Sequence, residues 1–184
     1  RVFERRMRRA RGASLLEVLI SVLLSAIGLL ALAGANVASI RYSKMSQYRG
    51  TATNLAADLG ERMRANQAGL ANYAYGFDFA SQATAPSASV ACETYSNTCT
   101  STQLADYDLV NWRFTVRNQL PQGSVFVVVP AGQVAADVWL AWQDPAVAAP
   151  SENDTDARNI ATECPNGLNT TDKSVRCSYF RINL

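Results

Sequence analysis

The chain contains no histidine. That removes Ser-His-Asp and Cys-His nucleophile arrangements and every imidazole metal site. Cysteine is scarce: Cys92, Cys99, Cys164 and Cys177 are the four, and no two of them form a Cys-x-x-Cys pair. Zinc chemistry therefore has no ligand set to work with. There is also no P-loop, no glycine-rich dinucleotide turn and no nucleophile elbow. Each of these would have been a recognisable short pattern with its own mechanism. The expectation is a chain that is not an enzyme and needs no cofactor.

Charge is sparse as well, at 17% of residues, and it is unevenly placed. Residues 1–12 hold six arginines, Arg1, Arg5, Arg6, Arg8, Arg9 and Arg11, against the single acid Glu4. Without this stretch the formal charge of +2 becomes −3. A mildly acidic remainder argues against a nucleic-acid footprint. The 184 residues suffice for one domain of modest size beside a helix. The chain begins at Arg1, so the true start is open, and Met7 is a candidate start that leaves a basic leader in place.

What is present is a long apolar run from Ala13 to Ile40, whose only charged residue is Glu17. A carboxylate near the middle of a bilayer costs about 2.5–3.5 kcal/mol or more. Nearer the membrane edge the cost falls, but a partner is still required. An ordinary secretory signal is cut after its apolar segment. Here a cut is available before it, after Gly12. Cleavage there frees an α-amine on Ala13 and makes Glu17 the fifth residue of the mature chain. That amine is a cation able to meet Glu17 of the same or a neighbouring helix.

Basic leader, Gly12, Ala13, Ser14, Leu15, Leu16, Glu17 and an unbroken apolar helix resemble the class III signal of type IV prepilins and type II secretion pseudopilins. The resemblance implies cutting between Gly12 and Ala13 by prepilin peptidase and N-methylation of Ala13. It also gives Glu17 the role of assembly ion pair.

Residues 13–40 make about 42 Å of helix, more than the roughly 20 residues a hydrocarbon core needs. The helix should therefore leave the membrane and continue. Gly28 and Gly34 lie inside it. With Ala31, Ala35 and Ala38, Gly28 suits close helix packing. Alternatively, the glycines allow local extension when the subunit moves into a filament. In residues 41–67, Met45, Tyr48, Ala52, Leu55, Ala56, Leu59 and Met63 form one apolar stripe at helical spacing. This predicts the amphipathic half of the same helix, packed on a domain at 68–184. The stretch Leu55 to Asn66, ending Glu-Arg-Met-Arg-Ala-Asn, resembles a segment of PilV-type minor pilins.

The even cysteine count beyond a membrane segment reads as two disulfides in an oxidising compartment. Of three connectivities, Cys92–Cys99 and Cys164–Cys177 close the two local loops. Residues 68–101 read as a loop, with Tyr73, Tyr75, Phe77 and Phe79 alternating as an edge strand or as packing. Residues 102–120 fit both periods. Helix is preferred, capped by Ser101 or Thr102 and stopped by Pro121 and Gly123. The pattern Asp108, Trp112, Leu120, Pro121, Gly123 also resembles a second helix of PilV-type proteins. Strands are expected at 124–129, at 138–143 with Trp139 and Trp142 on opposite faces, and at 177–184. Glu152 to Asp156 places oxygens at alternate positions, as Ca²⁺ prefers, but lacks the EF-hand glycine and distal glutamate. It reads as a solvated loop, and no metal is expected.

The fold class expected is α+β, a long N-terminal helix packed on a small antiparallel sheet. The basic leader keeps the N-terminus cytoplasmic, which places the C-terminal domain in the periplasm. The resemblance implies a minor pilin that primes a type IV pilus and supports twitching, adhesion and DNA uptake. Its implied partners are prepilin peptidase, other minor pilins and the major pilin, the inner-membrane assembly platform and a tip adhesin; nucleic acid is not among them. The alternatives are a GspI-like minor pseudopilin of type II secretion and a membrane-anchored periplasmic binding module that never polymerises.

Overall fold

The computed structural model describes residues 14–84, 86–87, 91–93, 98–144, 164–170, 172 and 174–184. The expectations for the leader, for Gly12 and Ala13, and for the acidic loop Glu152 to Asp156 lie outside the described residues. Two compact units divide the chain, Arg1–Tyr42 and Ser43–Leu184.

Helix α1, Leu15–Ala65, runs through 51 residues. Leucine and alanine dominate its first half, and both are strong helix formers. Apolar side chains surround that half and are exposed on every face, Leu15 to Ile40 included. A helix that is apolar all round belongs in a membrane or a core. This one is long and apolar enough to cross a membrane by length and composition. Gly28 and Gly34 sit within it, and a Cβ at either would meet nothing within 4 Å. No contact among the described residues requires glycine at these two positions.

In the unit Ser43–Leu184 the apolar stripe is buried as its spacing implies. Ala52, Leu55, Ala56, Leu59 and Met63 lie in the main core, with Tyr48 packed on its margin. A 3₁₀ turn, Gln67–Tyr73, follows α1 directly and buries Tyr73. Strand β1 is only Tyr75–Gly76, and a second 3₁₀ turn spans Ala80–Ala83. The stretch expected as a plain loop is therefore partly ordered. Of the alternating aromatics only Tyr75 lies in an edge strand; Tyr73 ends the 3₁₀ turn and packs wholly buried, and Phe77 is 55% exposed.

Helix α2, Ser101–Gln119, settles the ambiguous region. Trp112 and Val116 are fully buried, whereas Phe114, which a strand would have placed with them, is 51% exposed. The cap is Thr100 rather than Ser101 or Thr102. Its side chain accepts from the Gln103 N–H, and the Gln103 side chain returns the bond to the Thr100 N–H. This reciprocal arrangement satisfies two backbone donors that an uncapped helix leaves open.

Three longer strands complete the sheet: β2 Ser124–Val128, β3 Ala135–Gln143 and β4 Val175–Asn183. Among the described residues the order is β1-β2-β3-β4, antiparallel throughout. Strand β3 starts three residues before its expected onset at Val138, because Ala135, Ala136 and Asp137 pair with Asn183, Ile182 and Arg181. Val138, Leu140 and Trp142 face the core under α1 and α2. Trp139 faces the other way, between Phe126 at 6.0 Å and Tyr179 at 4.9 Å between ring centroids. These three residues are direct cross-strand neighbours, the unit of sheet stabilisation.

Candidate functional site

The N-terminal turn of α1 is built by Ser14 and Glu17. The Ser14 hydroxyl oxygen accepts from the Glu17 backbone N–H at 3.2 Å, and the Ser14 carbonyl accepts from the Val18 N–H at 3.2 Å. Ser14 thus satisfies a donor that every helix start leaves open. Glu17 lies in the first turn, where a negative charge meets the positive end of the helix dipole. Among the described residues its carboxylate has no hydrogen-bond or ion-pair partner. Further along, the Ser21 hydroxyl donates to the Val18 carbonyl and the Ser25 hydroxyl to the Ser21 carbonyl, each at 2.8 Å. Both hydroxyls are thereby satisfied within the helix, as hydrocarbon surroundings demand. Among the described residues from Ser14 to Ser25, Glu17 is the one polar side chain that still needs an outside partner.

At the other end of α1, five side chains fasten it to the domain. The Arg62 guanidinium reaches Asp58 at 3.1 Å and Asp108 of α2 at 3.3 Å. The Tyr73 hydroxyl donates to the other oxygen of Asp108 at 2.7 Å. The Asn66 amide donates to the Ser101 carbonyl at 2.8 Å, and the Trp112 indole N–H to the Leu55 carbonyl at 2.8 Å. Arg64 pairs with Glu61 at 2.6 Å and donates to the Asn183 carbonyl at 3.0 Å. The segment Leu55 to Asn66 is therefore a junction that holds α2 and the end of β4 against α1.

A family model described as Type IV pilin Tt1218 matches residues 36–110. A second, the prokaryotic N-terminal methylation motif, matches residues 7–33. Together the two matches support a type IV pilin with a class III signal. No curated protein and no solved structure matches the chain. The methylation motif of this pilin takes in Gly12, Ala13, Ser14 and Glu17. The pilin match takes in α1 from Asn36 onward and α2 as far as Val110, including Arg62, Tyr73 and Asp108. A prepilin-type signal implies processing by prepilin peptidase and assembly with other pilins. Type IV pilins are a structural, non-enzymatic subunit family. The class III signal and long apolar helix are those of a chain anchored in a membrane and incorporated into a pilus.

In this pilin Cys92 is bonded to Cys99 and Cys164 to Cys177, with Cα atoms 5.9 and 5.2 Å apart. The second bridge holds a 3₁₀ turn, Asn166–Leu168, over the outer sheet face. Leu168, Ala141, Val175 and Cys177 form a small second core there with Phe79 and Phe126. Gly167 is required by that approach, since a Cβ would stand 2.5 Å from the Phe126 ring. Among the described residues no group of acids and cysteines is placed to hold a metal ion.

The capping role of Ser14, which the sequence places only within the class III signal, and the role of Gln82 are not among the sequence expectations. Ser14 had a signal, because Ser14-Leu15-Leu16-Glu17 matches the S-x-x-E pattern of a helix start. Gln82 had none. Its buried amide donates to the Val125 carbonyl and accepts from the Val125 N–H, both at 2.9 Å. One side chain thus takes the place of a strand where β1 is too short to cover β2.

Burial, followed by the hydrogen bond to Asp108, raises the Tyr73 pKa above its ordinary value near 10. A group with a raised folded pKa contributes fully below the unfolded value and loses that contribution as pH rises toward the folded one. The melting temperature of this pilin should therefore fall above about pH 10. In Tyr73→Phe the fall should be shallower, from a starting stability about 1 kcal/mol lower. Parallel alkaline melting curves for the two proteins would remove Tyr73 as the cause.

Proposed function

We propose that this pilin is a PilV-type minor subunit that helps to prime a type IV pilus. Residues 1–12 are the leader, removed after Gly12, and Ala13 is the residue then N-methylated. Residues 13–40 span the inner membrane before assembly and enter the filament core after it. Residues 41–67 carry the domain, and residues 68–184 form it on the periplasmic side. The arginine-rich leader supports that orientation through the positive-inside rule. The two disulfides suit an oxidising compartment.

The observation that carries the reading is Glu17, a lone carboxylate in the first turn of α1, whose first half is otherwise uncharged and exposed. Its partner is the Ala13 α-amine of an adjacent subunit, which sets axial register. The segment Leu55 to Asn66, with its resemblance to PilV-type minor pilins and its place at the junction, supports the minor role. Other minor pilins, the major pilin and the assembly platform are the partners, and a tip adhesin stands beyond them.

Intact mass from cells with and without prepilin peptidase tests the first step. Loss of residues 1–12 and gain of one methyl group is expected only where the peptidase is present. The same unprocessed mass in both strains would leave an anchored domain that never polymerises. Deleting the subunit is expected to lower pilus number, counted by electron microscopy, and twitching with it.

A further inference from the structure

Six of the described cations are held within the unit Ser43–Leu184. Arg62 bonds Asp58 and Asp108, Arg64 bonds Glu61, Arg181 bonds Asp137, and Arg176 stands 4.0 Å from Asp144. Arg113 lies 3.8 Å over the Tyr75 ring, and Arg117 donates to the Gln82 carbonyl. The other three, Arg41, Lys44 and Arg49, are exposed on α1. Lys44 reaches the Gln47 amide oxygen at 3.3 Å. Among the described residues, none of the three meets an acid. The sequence places none nearby, since residues 18–57 contain no Asp or Glu.

Their place along the helix differs. Arg41 directly follows residues 18–40, 23 positions without a charge. That stretch is about 34 Å of helix, enough to cross roughly 30 Å of hydrocarbon with modest tilt. The headgroup layer beyond is about 5–8 Å deep on each side. Arg41 and Lys44 fall within it, at about 2 and 6 Å past Ile40 along the axis. Tyr42, between them, is 71% exposed, and tyrosine favours that layer. Every Cα–Cβ bond of a helix tilts toward its N-terminus. Both cationic side chains therefore set off toward the hydrocarbon edge, where a charge needs a counter-charge. Arg49 lies about 14 Å past Ile40, beyond the headgroups.

We propose that Arg41, Tyr42 and Lys44 form a collar that binds the phosphates of anionic phospholipids at the C-terminal end of the span. This rests on the reading of residues 13–40 as a membrane span. The two cations and the Tyr42 hydroxyl supply donors that phosphate oxygens accept. A phospholipid is the occupant because the helix meets one there already, the preceding positions being apolar and exposed on every face. The collar and Glu17 bracket the uncharged stretch. Headgroup binding thus fixes the depth of the span, and with it the depth of Glu17.

The full chain is placed in vesicles of phosphatidylcholine mixed with phosphatidylglycerol, released into mild detergent and weighed with its bound lipid by native mass spectrometry. It should retain phosphatidylglycerol at least about tenfold above the supplied ratio, since each cation near anionic headgroups contributes about fivefold. Arg41→Gln combined with Lys44→Gln should lose about tenfold or more of that enrichment, and Arg41→Lys should keep it. Arg49→Gln should stay within about twofold, because Arg49 lies more than a Debye length of about 8 Å from the hydrocarbon edge. The leader arginines are common to all variants, so the differences report the collar whether or not the leader is cleaved. Equal enrichment in the double variant overturns the proposal. So does an equal loss in Arg49→Gln, which would tie the preference to net charge alone. Unchanged enrichment with loss of the double variant from sheared pili also overturns it, and assigns the cations to an acidic neighbouring subunit. Failure of the unmodified chain to float with the vesicles overturns the span reading and the collar with it.

Discussion

Replacing Trp112 by alanine is expected to cost the domain about 3–5 kcal/mol. The side chain is fully buried among α1, α2 and the sheet, so truncation leaves a cavity lined by residues from all three. It also removes the indole donor to the Leu55 carbonyl, the bond that pins α2 to α1. Domains of this size have only about 5–15 kcal/mol of stability in total. The substitution should therefore lower the urea midpoint of the mature chain in detergent by roughly 2 M. Trp112→Phe keeps most of the volume and loses the donor, so it should fall between the two. Circular dichroism is the suitable probe because it does not depend on the indole that is removed. A loss below about 1 kcal/mol would mean that the junction relaxes around the cavity and that Trp112 is not its centre.

Glu17→Ala should leave the domain folded and the chain in the membrane, yet nearly abolish its entry into pili. Removing one partner of a buried ion pair strands the other, at about 3–5 kcal/mol. That corresponds to roughly 10²-fold to several thousandfold in relative incorporation. The first-turn position adds a smaller term, since the carboxylate also complements the helix start. Glu17→Gln is informative beside it. Glutamine keeps size and hydrogen bonding but not charge, so a defect shared by both variants assigns the effect to charge. Quantifying the subunit in sheared pili against its level in membranes gives the ratio directly. Normal ratios for Glu17→Ala would remove the register role.

The sequence by itself determined the parts whose physics is local. The apolar run, its lone acid, and the change from an all-round apolar to a one-sided helix near residue 41 follow from periodicity alone. So do helix α1 and the longer strands, because burial repeats at 3.6 or 2 residues, whereas residues 102–120 fit both periods and read as a helix from their cap and stop signals. Only the tertiary structure decided the rest. Strand β3 begins at Ala135 because β4 is there to pair with it, and alanine carries no strand signal of its own. Strand β1 shrinks to two residues because the Gln82 side chain bonds Val125 from a distant turn. Arg62, Tyr73 and Asp108 come together from three elements, which no local pattern encodes. The pairing of β4 with β3 is of the same kind. Which backbone groups remain unpaired depends on strand order and register, and both arise only when distant parts of the chain meet.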